Sequence, residues 1–273
     1  MPATIKRDIG RTVFGEDARG YTDARPAYPA RIYDILRETC YAGPQVAAFE
    51  IGAGTGQATG PLLDFGCHVT VIEPDVRMVA VLCDRLIRHE TQLDVHAVTF
   101  EDVNLSASSF DLGVAAMALH WLNPETSLTK AFRLLRPGGH WAMWWTVFGD
   151  PLHMDDFQRR THYLFKTLEQ SPSQGDTPST PFSLDKARRI AELEEAGFES
   201  IRFEEIRWST MLDKQQILAL TATFSPVARL SESNRKCFLD VLGRVVDEDF
   251  GGTVSRNFVT AIYTATRPLT QTP

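Results

Sequence analysis

The stretch Val46-Ala47-Ala48-Phe49-Glu50-Ile51-Gly52-Ala53-Gly54-Thr55-Gly56-Gln57 decides the fold. A short apolar run ends in one carboxylate and passes directly into three alternating glycines, which reads as a buried strand followed by a turn. Glycine allows φ > 0 and lets a backbone approach a ligand closely. Further on, Val69-Thr70-Val71-Ile72-Glu73 is a second short strand ending in a carboxylate, about twenty residues after the turn, where an acid can accept both hydroxyl protons of a ribose.

Outward from this pair, short apolar runs alternate with longer amphipathic ones between Gln45 and Trp145. That alternation predicts strand–helix units around a parallel sheet. Strands are expected at 95–100, 110–117 and 140–145. Helices are expected at 74–89, where Val79, Leu82 and Leu86 share a face, and at 124–135, before the stop signal Arg136-Pro137-Gly138-Gly139. After Gly149 the pattern changes. A helix over 153–168 precedes Ser171–Pro181, whose prolines, glycine and Ser/Thr residues predict a loop or lid hinge. A helix from Leu184 follows, with Ser183 as N-cap and Gly197 as its C-terminal stop. Ile201–Phe203 and Ile206–Trp208 alternate in opposite phase, which predicts a bulge or twist within one strand. Helices at 215–224 and 233–246 and a strand at 255–266 complete the chain.

The 273 residues are 43% hydrophobic and 23% charged, which excludes a disordered or fibrous chain. A formal charge of −7 leaves no broad basic surface, so no nucleic-acid partner is expected. Cys40, Cys67, Cys83 and Cys237 form no C-x-x-C pair and read as buried thiols in a reducing compartment. The start lacks an apolar leader, and Val114–Leu119 is too short to span a bilayer. A cytoplasmic protein without a membrane partner is expected.

The glycine spacing discriminates between nucleotide ligands. A dinucleotide fingerprint needs glycine at position 57, which is Gln. Glu50 beside the turn would repel a pyrophosphate and welcome a cationic amine, such as that of S-adenosylmethionine. On these residues the chain resembles the class I S-adenosylmethionine-dependent methyltransferases, in which an acid precedes a Gly-x-Gly-x-Gly turn and another ends the second strand. Phe14-Gly15, Tyr21-x-x-x-Arg25-Pro26-x-Tyr28-Pro29, Ala118-Leu119-His120-Trp121, Leu135–Gly139, Thr223-x-Ser225 and Gly251-Gly252 are similar to the small-molecule branch that includes trans-aconitate methyltransferase-like proteins.

The resemblance implies a Rossmann-like α/β fold, with a seven-stranded mostly parallel sheet, helices on both faces and an antiparallel last strand. It implies one domain over 1–273, with a cofactor-covering segment at 1–40 and a small helical cap at 150–197. Carried over by position, it assigns S-adenosylmethionine to Glu50, Gly52, Ala53, Gly54, Gln57, Glu73, Pro74 and Ala116, with S-adenosylhomocysteine as product. The acid expected near adenine falls on Thr99, so Phe100 and Glu101 are taken instead, with Asp102 as an alternative. Tyr21 and Arg25 suit the cofactor too, Arg25 either pairing with its carboxylate or anchoring an N-terminal helix.

His120 follows the fourth strand, where ligand crevices open, and is the candidate general base; the alternative is a positioning or packing role. Tyr28, Trp121, Trp145 and Phe148 are candidates for an apolar acceptor pocket, although alternation lets only one of Trp144 and Trp145 face each side of the sheet. His153, Asp155, Asp156 and His162 lack metal-ligand spacing, and no metal is expected. The expected activity is methylation of a small organic acceptor, at oxygen before nitrogen or carbon, by a monomer or homodimer. A methyltransferase-fold protein that binds without transferring methyl, such as a cyclase or binding module, and a nicotinamide-dependent oxidoreductase are the alternatives.

Overall fold

The computed structural model describes residues 3–175 and 180–269. Seven strands, β1 (Ala47–Ile51), β2 (His68–Ile72), β3 (Leu93–His96), β4 (Phe110–Ala116), β5 (Leu135–Val147), β6 (Glu199–Asp213) and β7 (Thr253–Thr266), form one sheet in the order β3-β2-β1-β4-β5-β7-β6. The first five are parallel to one another, whereas β7 runs antiparallel to both β5 and β6. Strand order reverses between β1 and β4, the point at which open α/β sheets leave a crevice beyond their carboxyl ends.

Eleven helices surround the sheet among the described residues: α1 (Arg7–Gly10), α2 (Ala18–Ala24), α3 (Ala30–Thr39), α4 (Thr59–Asp64), α5 (Val76–Arg85), α6 (Pro124–Leu134), α7 (Asp156–Phe165), α8 (Lys186–Glu195), α9 (Lys214–Ala222), α10 (Ser225–Ala228) and α11 (Glu232–Phe250). Side chains alternate across each strand, so both faces need cover. Phe49, Trp141, Met143 and Trp145 pack on one face with Leu128, Ala131 and Leu193 from α6 and α8. Ala48, Leu112, Ala142 and Trp144 pack on the other with Ile32, Leu36, Leu62 and Leu82 from α3, α4 and α5.

Four local expectations change. β3 ends at His96, and 97–102 is a loop rather than strand. Arg136–Gly139 does not end the helix in a free turn; it bulges within β5, where the pairing steps from Phe110↔Leu135 to Leu112↔His140. β6 has its irregularity at Glu199/Arg202 and pairs without interruption from Arg202 to Asp213. Its two apolar phases arise because Phe203 and Ile206 pack against opposite, covered faces. Cys40 and Cys67 are buried, but Cys83 and Cys237 are exposed.

The stretch expected as a cap, 150–197, divides. α7 leaves the sheet and packs Phe157 with Ile217, Leu220, Leu242 and Val246 from α9 and α11. α8 instead buries Leu193 in the core of the sheet. The helical layer above the carboxyl ends of the strands thus draws much of its mass from 214–250, inserted between β6 and β7. Part of the expected hinge, 176–179, lies outside the described residues.

Leu193→Ala tests this division. Deleting a fully buried Leu side chain costs about 2–5 kcal/mol, read from urea unfolding; a loss below about 1 kcal/mol would return α8 to a loosely held cap.

Candidate active site

β1 ends at the turn, where Gly52 and Gly54 adopt φ of +66° and +57°. A Cβ on Gly52 would stand 2.7 Å from the Ala118 Cβ, so only glycine lets the turn lie against the end of β4. At Gly54 an added Cβ would meet nothing nearer than 3.9 Å and would project into free space. That space is the first cavity, lined by Glu50, Gly52, Ala53, Gly54, Gln57, Glu73, Pro74, Phe100 and Ala116, together with Tyr21, Arg25, Tyr28, Trp121 and Phe148.

Two buried carboxylates dominate its electrostatics. Glu50 is 1% exposed and accepts 2.7 Å from the Thr59 hydroxyl. Burial pushes its carboxyl up to about 8, and the charge of Glu73 adds to this. Glu73 accepts from the backbone N–H groups of Gly54 (2.9 Å) and Asp75 (3.0 Å). Burial raises it to about 7. Gln57 accepts from the Thr55 hydroxyl through Oε1, while its buried Nε2 has no partner among the described residues. An unmatched donor and two costly buried acids in one concave wall are what a ligand with an acceptor, a cation and hydroxyls would satisfy.

The N-terminal segment closes over this wall. Thr22 donates 2.7 Å to Thr55 in the turn, and Gly15 sits so tightly on the Asp75 carboxylate that a Cβ would clash at 2.0 Å. Phe14 contacts Tyr21 and Trp121 at 5.5 and 5.9 Å between ring centroids. Arg25 is stacked against Tyr21 and Phe148 and donates to the Thr223 hydroxyl and carbonyl at 2.9 and 3.0 Å. It therefore ties α2 to the 214–250 insertion while facing the cavity.

A second cavity of about 380 Å³ lies beneath α7, α9 and α10. His120, Trp121, Trp145 and Phe148 line it. Trp121, Phe148, Phe14, Tyr21, Arg25, Thr146 and Met117 belong to both cavities, forming an aromatic partition. Met117 holds a left-handed φ of +55° there, with its sulfur 3.0 Å from the Thr146 N–H, a strained conformation of the kind kept at functional sites.

Three expectations are corrected. Tyr28, expected in the acceptor pocket, lines the first cavity and not the second. Glu101 does not face the first cavity; it forms an ion pair with Arg11 at 2.7 Å, and Arg11 also binds the Trp121 carbonyl. Thr99 and Phe100 line the wall instead, and Asp102 is turned to the Thr99 hydroxyl at 2.6 Å. Lys130 fixes this loop through the carbonyls of Phe100, Glu101 and Val103. His120 does not have the properties of a base. It is 3% exposed, burial lowers it to about 3, and Nδ1 already accepts 3.0 Å from the Trp145 indole N–H.

Of the Trp pair, Trp145 reaches the second cavity, whereas Trp144 packs on the opposite face edge-on to Tyr28. The residues weighed for a metal are used otherwise: His153 pairs with Asp150, Asp155 caps α7 and pairs with Arg256, and His162 lines the second cavity. Nothing in the spacing of Arg11, Met78, Met117 or Lys130 marks them in the sequence as part of this site. The 214–250 insertion did carry a signal, because antiparallel neighbours need only a short turn.

Residues 49–143 match the methyltransferase domain family model. That stretch is a methyltransferase domain of the S-adenosylmethionine-dependent kind. An uncharacterized methyltransferase of Mycobacterium tuberculosis, Rv3342, is 26% identical over 222 residues, covering 81% of this chain and 79% of that protein. Among solved structures, the [4+2]-cyclase SpnF superposes with a TM-score of 0.62 at 16% identity, over 99% of this chain and 98% of that one. Phosphoethanolamine N-methyltransferase 2 of Haemonchus contortus, solved with S-adenosyl-L-methionine, gives 0.58 at 16% identity; this chain spans 96% of itself but 60% of that enzyme. These two likenesses show the shared fold. No helix among the described residues is long and apolar enough to cross a membrane.

The buried acid at the end of β1 gives a direct test. Glu50 ionises near 4.5 when unperturbed and at about 8 in the fold. Between these values the folded state holds the extra proton, so its contribution to stability falls as pH rises and is lowest above about 8. Glu50→Gln should raise the melting temperature at about pH 9 and change it little near pH 5. An equal effect at both would mean that Glu50 is not a buried acid.

Proposed function

We propose that this chain transfers the methyl group of S-adenosylmethionine to the oxygen of a small organic acceptor held in the second cavity. The observation that carries this is the shared partition: the two cavities meet at Met117, Trp121 and Phe148, so a methyl held on one side is presented to the other. Glu50 and the Gly52–Gly54 backbone would take the charged methionyl end, Gln57 Nε2 would donate to an acceptor there, and Glu73 would accept from the ribose hydroxyls. Thr99 and Phe100 would flank the adenine, while Pro74, Ala53 and Ala116 complete the apolar wall.

When bound, the cofactor supplies an electrophilic methyl on a sulfonium. The chain's own part is alignment and exclusion of water, and proximity of this kind is worth about 7–11 kcal/mol in favourable intramolecular models. The Trp121 ring suits the sulfonium charge, while Tyr21 and Phe148 hold the Arg25 guanidinium. The segment at 1–40 covers the cofactor, and α7 with α9 and α10 covers the acceptor. Gln57 and the paired buried acids disfavour a dinucleotide pyrophosphate. Free thiols throughout the chain agree with a cytoplasmic setting.

Thermal unfolding with S-adenosylmethionine, S-adenosylhomocysteine, NAD and NADP in parallel tests the site. Ligand at a hundredfold over its Kd adds about 2.7 kcal/mol to the folded state. Protection by the first two only is expected, and protection by a nicotinamide cofactor would overturn the reading. Glu73→Ala should weaken that protection by removing the ribose contacts. A cyclase or binding module would instead show the same protection without methyl transfer to any member of an acceptor screen.

Charge linkage gives a further check. A bound ammonium favours ionised Glu50, so binding near neutrality expels a proton and affinity should rise with pH until about 8. Calorimetry in two buffers of different ionisation enthalpy would detect the release; an affinity independent of pH from 6 to 9 would remove Glu50 from the cationic site.

A further inference from the structure

We propose that Trp145 locks His120 as a hydrogen-bond donor, and that the second cavity therefore takes an apolar acceptor through an anionic oxygen. The inference rests on the methyl-transfer reading above and narrows its acceptor class.

An indole N–H can only donate. At 3.0 Å from Trp145 Nε1, the His120 Nδ1 must therefore carry the lone pair, and the ring proton sits on Nε2. Nε2–H has no acceptor among the described residues, so it is the polar group the ring offers to the cavity it lines. Both partners are almost fully buried, and the imidazole is packed against the rings of Trp121 and Phe182 at 4.9 and 6.2 Å. The charges around it are positive: Arg25 and Arg7 act on the ring, and Arg256 lines the same cavity from β7.

No Asp or Glu lines this cavity among the described residues. Asp155, the nearest acid to Arg256, is committed to that guanidinium at 3.0 Å. Among the described residues Arg25 has no carboxylate partner; its side-chain hydrogen bonds go to Thr223.

This arrangement discriminates among acceptors by charge. A neutral hydroxyl finds no base, because the imidazole lone pair is already taken by Trp145. Among the described residues an ammonium finds no counterion in the lining and meets two arginines. An anionic oxygen meets the Nε2–H and the Arg25 field, and such charge-assisted bonds are about twice as strong as neutral ones. In the transfer, an oxygen lone pair forms the O–CH3 bond while the C–S bond breaks and its electron pair passes to sulfur. No proton is removed, so His120 acts as a positioning residue. A carboxylate and an ionised phenol share this chemistry.

The test uses the full chain loaded with S-adenosylhomocysteine and labelled with nitrogen-15 histidine. Imidazole NMR should show His120 neutral and protonated on Nε2 throughout the range from about pH 5 to 9. Titration at about pH 8 with 3-phenylpropionate, 4-nitrophenolate, 3-phenylpropanol and 3-phenylpropylamine should move that Nε2 signal with one or both anions, bound at least about tenfold more tightly than the alcohol or amine. His120→Gln, which keeps a donor, should retain the preference, and His120→Leu should lose it. Should Trp145→Phe fold, it should release the tautomer. A titrating His120, a proton on Nδ1, equal affinities, preference for alcohol or amine, or no response to any probe would each overturn the proposal. The methyltransferase reading would still stand if S-adenosylhomocysteine binds, and would fall with it if that ligand does not.

Discussion

Two carboxylates buried side by side at the ends of adjacent parallel strands are the constraint around which the molecule is organised. Removing Glu50 and Glu73 from water is costly, and the charge of Glu73 adds to the cost of ionising Glu50. The fold offsets part of that cost locally, with the Thr59 hydroxyl on one acid and the N–H groups of Gly54 and Asp75 on the other. The remainder stands as an unfavourable charge distribution that a cationic, hydroxyl-bearing ligand relieves. The glycines follow from this, because only a turn without side chains can bring backbone donors to Glu73 and leave space beside them. The N-terminal segment follows too, anchored on Thr55 and Asp75 so that it covers the acids instead of leaving them open to water.

Work is divided between a rigid half and a variable half. The sheet presents the cofactor wall at the β1/β4 reversal, a position set by topology. The layer from α7 and α9 to α11 presents the acceptor wall and is tied down by a few polar contacts, chiefly Arg25 to Thr223 and Arg256 to Asp155. A shared scaffold with a changeable cover explains why folds of this kind host many chemistries, and why specificity is read from the cover. The strained Met117 and the aromatic rings around it lie at the seam between the halves.

Much of this was legible along the chain, because the informative patterns are local. Strand, glycine turn and acid occupy a dozen consecutive residues, and period-two alternation correctly separated Trp144 from Trp145. Adenine-side and cap assignments were harder. Glu101 and Asp102 both looked available, but which of them turns outward depends on Arg11 and Thr99, each placed by contacts invisible in sequence spacing. The Ile201–Trp208 phases suggested a bulge since a single sequence does not say that both faces of β6 are covered.

His120 shows the boundary most clearly. Its position after the fourth strand followed from the sequence, and so did its place beside an acceptor pocket. Its chemical character did not, because an isolated imidazole is equally able to accept or donate near neutral pH. Burial, the arginines nearby and the indole N–H of Trp145, twenty-five positions away, decide that it donates. The sequence by itself determined the strand–helix alternation and the glycine turn between two acids, since these rest on short-range periodicity and on residue types at fixed spacing; the full sheet and the cofactor follow from the family that those residues resemble. Only the tertiary structure decided the protonation of the acids, the direction of the His120 proton and the origin of the cap, since each depends on desolvation and on neighbours brought together from distant parts of the chain.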